Sequence, residues 1–482
     1  MKKNFYITTT LPYVNADPHI GHALEFVRAD VAARFKKLQG YDVFFNTGTD
    51  EHGQKLFDAA LSENITPQDY VDRNVLLFKN ILPSLGVSKD VHFIRTSDDK
   101  HILAAQELWR RVKSNGYIYK KKYRARYCVG CELEKTDSEL IEGRCPNHSN
   151  MELQLIDEEN YFFKFSAFQD KLLKFYDNMP GFVLPETRYR EIRSFVQSGL
   201  RDFSVSRLKE KMPWGIPVPD DKDHIMYVWF DALTNYISTL GWPMNIENFN
   251  KYWVNGTPTQ YCGQDNLRQQ SAIWQAILMS ADLPTSHQIV VNGFVTGVGG
   301  IKMSKTMGNT VNPLDLIRHY GTDAFRYYVL RHIHPLDGSP ITAQLFDEAY
   351  NANLANGLGN TVSRLLALTS RNMDHVEINF VPVLPQEWFD AMNTFRFDLA
   401  CNFVWGELSG LDRSISEIAP YEMIKTDRIG ALKFLNDAIN RLYSVGLMLK
   451  PLLPKTSEKI LNAIRLNKKP QNLFERKESV KK

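Results

Sequence analysis

Residues 5–45 read as strand, turn, helix, strand. Phe5-Tyr6-Ile7-Thr8-Thr9 is β-rich, and Leu24, Val27, Val31, Phe35 and Leu38 recur at helical spacings of three and four. Gly40 falls just past the last apolar helix position, where left-handed backbone is wanted, and Tyr41-Asp42-Val43-Phe44-Phe45 is a second apolar run. The alternation returns later, with Gln260-Tyr261-Cys262, an apolar helix to about Ser280, and Gln288-Ile289-Val290-Val291. Strands separated by helices predict a parallel sheet, hence an α/β fold. The stretch between the two runs has a different texture, so the sheet is expected to be interrupted by an insertion.

The turn from Thr10 to Ala23 carries His19 and His22 where a strand gives way to a helix N-terminus. Free N–H groups and the positive end of the helix dipole favour phosphate there, and Gly21 lets a ligand approach the backbone. Alone, the pattern is also that of a turn with two solvated histidines. The second strand runs into Asn46-Thr-Gly48-Thr-Asp50-Glu-His52-Gly53-Gln54-Lys55, and ligands of open α/β sheets bind at such carboxyl ends. Gly48 and Gly53 have phosphate-loop spacing, but Gln54 stands where the lysine must be, which excludes a P-loop. Asp50 could receive a substrate ammonium or cap a helix.

Residues 55–113 read as helical, with breaks at Pro67, Pro83 and Gly86. Cys128-Val-Gly-Cys131 and Cys145-Pro-Asn-His148 follow. Five cysteines are too few and too unevenly placed for a disulfide framework, whereas two short ligand pairs form a tetrahedral knuckle suited to zinc. Four protein ligands leave no open position, so such a site is structural. In Tyr227 to Tyr236 a strand is expected to run into a helix, with Trp229, Ala232 and Tyr236 on one face that either walls an apolar pocket or packs as core. Glycines flank Lys302-Met303-Ser304-Lys305-Thr306, a pattern of a phosphate-binding lysine loop or a plain surface loop. From about residue 346 strand signals vanish and a helical bundle is expected, with helices near 391–418 and 427–449. Asn353, Asn356 and Asn360 share a helical face, with Arg364 one turn on, placed to read nucleotide edges or to bridge helices.

At 482 residues, and about 150 per domain, the chain has room for about three domains. No run of 18 apolar residues occurs, so no membrane span is expected. The N-terminus lacks an apolar signal core, and a cytoplasmic protein is expected. The net charge of +3 does not by itself point to nucleic acid. Basic residues cluster at 120–126 and in the tail at 477–482; a solvated face or a frayed end is the plain alternative for both, and it is the preferred reading for the tail.

Pro18-His19-Ile20-Gly21-His22, followed in order by Lys302-Met303-Ser304-Lys305-Thr306, resembles the paired signatures of class I aminoacyl-tRNA synthetases. Leu11-Pro12-Tyr13, Gly48 to Gly53, the knuckle, Tyr227 to Ala232 and Asn353 to Asn356 make the chain similar, over nearly its whole length, to methionyl-tRNA synthetases with a single zinc knuckle. The resemblance implies a Rossmann-like catalytic domain (1–113 and 224–345) split by a connective insertion (114–223) with the knuckle at 128–148, then an all-α anticodon-binding domain (346–482). It implies that Leu11, Tyr13, Trp229, Ala232, Tyr236 and Asn292 contact methionine and that Asp50 holds its ammonium. His19, Gly21, His22, Gly263, Asp265, Lys302, Ser304 and Lys305 would serve ATP, with His19, His22, Lys302 and Lys305 carrying the catalysis. Asn353, Arg364 and Tyr421 would meet the CAU anticodon. One structural Zn²⁺ on Cys128, Cys131, Cys145 and His148, Mg²⁺ with ATP, and tRNA(Met) are the implied cofactors and partner, and a monomer is expected because no C-terminal dimerising domain is evident. Three positions depart from the family pattern: Asn292 stands where many members have histidine, Tyr421 where tryptophan is usual, and Thr306 where serine is common. The rival readings are a class I synthetase for another amino acid, a smaller nucleotidyltransferase, and a tRNA-binding regulator without catalysis. The lack of room for a large editing insertion, the knuckle with its helical C-terminal third, and the intact histidine and lysine motifs count against them in turn.

Overall fold

The structure is a computed structural model describing residues 2–130, 133–135, 139–297, 299, 311–335, 337–378 and 384–477. Its first twelve strands, in chain order, are β1 (Asn4–Thr9), β2 (Asp42–Thr49), β3 (His92–Arg95), β4 (Ile118–Cys128), β5 (Leu133–Lys135), β6 (Gln154–Phe163), β7 (Val183–Leu184), β8 (Phe203–Ser204), β9 (Ser206–Leu208), β10 (His224–Met226), β11 (Thr257–Gly263) and β12 (Gln288–Asn292). The chain divides into two compact units, one of Met1–Asp17, Val43–Asn80 and Asp90–Val291, the other of Pro18–Asp42, Ile81–Lys89 and Asn292–Lys482.

In the first unit six strands form one sheet in the order β3-β2-β1-β11-β12-β7. β1 is central and runs parallel to β11, Phe5 opposite Thr257 and Thr9 opposite Tyr261. Its apolar residues Phe5, Tyr6 and Ile7 are buried, as a strand covered on both faces requires. Its carboxyl end is buried but polar: Thr9 shares a 2.7 Å hydroxyl contact with Thr47, and Asn46 donates to Thr8 at 3.2 Å. These buried polar groups are satisfied by one another, which fixes the neighbouring strand ends. Helices Asp99–Ser114 and Trp274–Ser280 contribute to the core around Trp109, Tyr236, Trp253 and Trp274. Between β3 and β11 the insertion builds an antiparallel sheet, β5-β4-β6-β8, and a hairpin of β9 with β10. The α/β fold with an interrupted parallel sheet is thus as expected. The expectation of helix throughout 55–113 is corrected by β3, four residues paired in parallel with β2. His-Phe-Ile-Arg is too short for a period of two to show.

The second unit contains the helix Ile20–Leu38, which ends at Gln39 with Gly40 at φ +84°, in the left-handed region anticipated for it. Its Asp30 is wholly buried and lies 2.9 Å from the guanidinium of buried Arg326. Arg326 also donates to the carbonyls of Leu452 (2.8 Å), Pro451 (3.1 Å) and Leu85 (3.2 Å). Asp30 accepts in addition from Arg34 at 2.7 Å and from the backbone N–H of Ser88 at 2.8 Å. The long helices Phe397–Ile418 and Arg428–Leu452 belong to the expected helical C-terminal region. A single helix over 391–418 is corrected: Gln386–Asn393 ends first, and Phe395 at φ +57° turns the chain before Phe397. The tail does not fray at 477, since Lys477 exchanges hydrogen bonds with Asn351 (3.1 and 3.2 Å); residues 478–482 lie outside the described residues.

Breaking a buried, hydrogen-bonded ion pair from one side costs about 3–5 kcal/mol. Arg326→Leu should therefore destabilise the protein by about that much in denaturant unfolding. A loss below about 1 kcal/mol would show that Arg34 and Ser88 alone satisfy Asp30.

Candidate active site

Beyond the end of β1 the chain stays extended alongside the end of β2. The Asp50 N–H donates to the Pro12 carbonyl (2.9 Å), the Val14 N–H donates to the Asp50 carbonyl (3.3 Å), and Tyr13 pairs with Asp50 as a parallel bridge. Main-chain bonds on both sides thus fix the backbones of Asp50 and Tyr13 as neighbours. Leu11 is buried, while Tyr13 and Asp50 are half-buried.

The residues after Asp50 are anchored strongly. Glu51 is buried and takes a two-pronged ion pair from Arg95 (2.8 Å to each oxygen), with hydroxyls of Thr49 and Ser97 each 2.5 Å away. Fork-on-carboxylate geometry is both strong and directional. His52 Nδ1 lies 2.6 Å from Asp231, whose other oxygen is 2.8 Å from His101 Nε2. Burial pushes the Asp231 carboxyl up, but the His52 charge and hydrogen bonds from both imidazoles outweigh it and hold it below the usual carboxylate range. Sequence reasoning missed this network: the partners lie 130 and 179 residues from Asp231, and no spacing rule reaches that far.

Trp229 and Ala232 lie, half-buried, on the short helix Val228–Leu233. Tyr236 belongs to a second short helix, Asn235–Ser238, and is buried with its ring 5.9 Å from that of Trp274. Gly263 ends β11, and a Cβ there would come within 2.6 Å of the Asp265 carboxylate, which lies on the turn Gln264–Asn266.

In the insertion, Cys128 closes β4, and the ligand atoms of Cys128, Cys145 and His148 all lie within 4.8 Å of one another. The Cys128 sulfur stands 3.7 Å from His148 Nδ1. Ligands at zinc distances of about 2.0–2.3 Å stand roughly 3.5–3.8 Å apart at tetrahedral angles, so this set fits such an ion. Cys131 lies outside the described residues. Gly130 lies under the imidazole, and a Cβ there would meet the His148 ring at 2.5 Å. Lys55 donates to the Gly130 carbonyl (3.0 Å) and holds its ammonium 5.8 Å above the Tyr13 ring, a contact between knuckle and β1 extension that the sequence did not reveal.

In the second unit, His19 and His22 form a reciprocal cap on the helix Ile20–Leu38. The Gly21 N–H donates to His19 Nδ1 (3.1 Å), the His19 N–H donates to His22 Nδ1 (3.3 Å), and the rings stack at 3.7 Å. An Nδ1 that accepts a backbone N–H leaves Nε2 as the protonated nitrogen of the neutral ring. His22, though only half-buried, is pushed well below the ordinary histidine range by loss of solvation and by the charge on His19. The first turn thus presents two stacked imidazoles whose Nδ1 atoms are taken by backbone N–H groups, leaving each Nε2 as the outward donor. Asn292 is buried, and its carbonyl oxygen accepts from Arg28 at 2.7 Å. Asn353 accepts from Arg331 (3.2 Å), its backbone carbonyl receives the Trp405 indole N–H (3.1 Å), and Arg364 pairs with Asp412 at 2.6 Å. Tyr421 is 49% exposed and follows Ala419, whose φ of +47° turns the chain outward. Lys302, Ser304 and Lys305 lie outside the described residues.

The sequence profile of the family described as tRNA synthetases class I (M) matches residues 5–155 and 148–366. The chain belongs to the class I methionine–tRNA ligases. It is 37% identical over 492 residues to the methionine–tRNA ligase of Fusobacterium nucleatum, covering 98% of this chain and 76% of the relative. It is 37% identical to that of Brucella suis, covering 96% and 92%. Mycobacterium tuberculosis methionyl-tRNA synthetase bound by methionyl-adenylate superposes with a TM-score of 0.87 at 33% identity, covering 99% and 100%. The free form of that enzyme gives 0.80 at 30%, covering 100% and 98%. The family resemblance read from the motifs is therefore borne out.

Because Gly130 makes room for the His148 ring, Gly130→Ala should displace that ligand and lower the metal bound per chain, read by elemental analysis. Undiminished metal would contradict the ligand geometry.

Proposed function

We propose that the chain activates L-methionine with ATP and transfers it to the 3′-terminal adenosine of tRNA(Met). The observation that supports this most directly is the Tyr13–Asp50 pairing at the carboxyl end of the parallel sheet. A carboxylate and an aromatic residue on paired backbones suit an ammonium with an apolar side chain. Asp50 binds the ammonium. Leu11, Tyr13, Trp229, Ala232 and Tyr236 contact the thioether, which aromatic walls favour through its polarizable sulfur. Asn292 is a further contact, set by its bond to Arg28.

In the first step the methionine carboxylate attacks the α-phosphate of ATP, giving methionyl-adenylate and pyrophosphate. In the second, the 2′-hydroxyl of the terminal adenosine attacks the activated carbonyl and AMP leaves. No protein nucleophile is required. Catalysis comes from positioning and from hydrogen-bond donors and positive charge set against the phosphates by His19, His22, the helix N-terminus, Lys302 and Lys305. With each Nδ1 held by a backbone N–H, the Nε2–H of His19 and of His22 is the group that donates to a phosphate oxygen. Gly21, Gly263, Asp265 and Ser304 contact the nucleotide, and Mg²⁺ bound with ATP adds positive charge at the phosphates. Cys128, Cys131, Cys145 and His148 hold one structural zinc that stabilises the turn-rich segment between them. Tyr421, Asn353 and Arg364 meet the anticodon, Tyr421 by stacking. The chain acts in the cytoplasm, where its charged tRNA is used.

Methionine-dependent ATP–pyrophosphate exchange tests the reading, and the wild-type protein should show it. Losing one charge-stabilising group costs about 3 kcal/mol, so His19→Ala should slow exchange about a hundredfold. Failure to show exchange with any amino acid, in folded and zinc-loaded protein, would refute the assignment. Tyr421→Ala should raise the KM for tRNA several-fold and leave exchange unchanged. A defect confined to exchange would remove Tyr421 from the tRNA step.

A further inference from the structure

We infer that His52 and His101 are positioning residues for methionine, acting through the buried carboxylate of Asp231. This inference rests on the reading above that Asp50, Trp229, Ala232 and Tyr236 take the amino acid. Asp231 has no exposed surface, yet both its oxygens are engaged: Oδ2 with His52 Nδ1 at 2.6 Å, Oδ1 with His101 Nε2 at 2.8 Å. The relay continues from His101 Nδ1 to the Ser238 hydroxyl at 2.9 Å. Four elements are joined in this way: the end of β2, the helix Asp99–Ser114, and the two short helices Val228–Leu233 and Asn235–Ser238.

The placement of the four members is what carries the argument. Asp50 lies two residues from His52, Trp229 two from Asp231, Ala232 one from Asp231, and Tyr236 two from Ser238. Each proposed methionine contact on these elements is thus held by a neighbour in the network. The Trp214 ring lies 5.3 Å from that of His52 and its indole N–H donates to the Glu51 carbonyl at 2.6 Å, closing the other side. A buried carboxylate is costly, and apolar residues would fill the same space at less cost. What the polar chain adds is fixed distance and direction between pocket walls whose helices, of six and four residues, are too short to hold themselves.

The test is steady-state exchange on the full-length chain, varying methionine and ATP independently, for His101→Gln, Asp231→Asn and Ser238→Ala. Small misplacements of positioning groups cost tenfold or more, so the KM for methionine should rise by about tenfold in the first two variants. The KM for ATP should stay within about twofold, and Ser238→Ala should show the same split with smaller amplitude. Asp231→Asn, which keeps shape and one acceptor, should fall between wild type and Asp231→Ala. If His101→Gln does not fold, Ser238→Ala and Asp231→Asn decide. Loss of thermal stability with both KM values unchanged would make the network structural only and overturn the inference. Absence of methionine-dependent exchange in the wild type would instead overturn the underlying site reading, and the inference with it.

Discussion

The parallel pairing of β1 with β11 is the constraint on which the first unit depends. It joins Phe5–Thr9 to Thr257–Tyr261, and the ladder continues past the strand where the Thr10 N–H donates to the Tyr261 carbonyl at 3.0 Å. Of the chain between them, β2, β3 and β7 return to the same sheet, while the antiparallel strands β4, β5, β6 and β8 form a sheet of their own and leave the β1–β11 register undisturbed. A parallel ladder also brings carboxyl ends to the same side. Tyr13 beyond β1, Asp50 beyond β2 and Gly263 at the end of β11 all follow from that geometry. Gln270 secures it from below, donating to the Thr10 hydroxyl (2.9 Å) while accepting from Gln260 on β11 (3.0 Å).

The polar side chains near these strand ends are unusual in being buried as well as charged. Glu51 with Arg95, and Asp231 with His52 and His101, are stable inside because every charge meets an oppositely charged or donating partner. Such groups contribute little net stability compared with apolar packing. Their value is that hydrogen bonds have direction, so Asp50 is flanked by residues that cannot drift. The helix cap of His19 and His22 applies the same logic, because each ring's orientation and proton position are dictated by a backbone N–H.

Much of this was legible in the sequence, and the limits are physical. The helix Ile20–Leu38 shows itself by period and by Gly40, and the knuckle by paired spacings that place Cys128, Cys145 and His148 together. Both signals are local. β3 was hidden because four edge residues carry no readable alternation, and the break at Phe395 because a non-glycine residue takes the left-handed turn. Asp231 looked like one polar residue in an apolar run. Only the tertiary fold brings His52 and His101 to it, as it brings Lys55 to Gly130 and Arg28 to Asn292.

The central claim is that the end of β2 holds the ammonium of an amino acid whose side chain lies against aromatic walls. Calorimetric binding of L-methionine and of its desamino analogue, without ATP, tests it most directly. The account predicts measurable binding of methionine and a loss of at least about 3 kcal/mol for the analogue, because an acceptor carboxylate is then left without its charged partner. Equal affinity for the two compounds would contradict it.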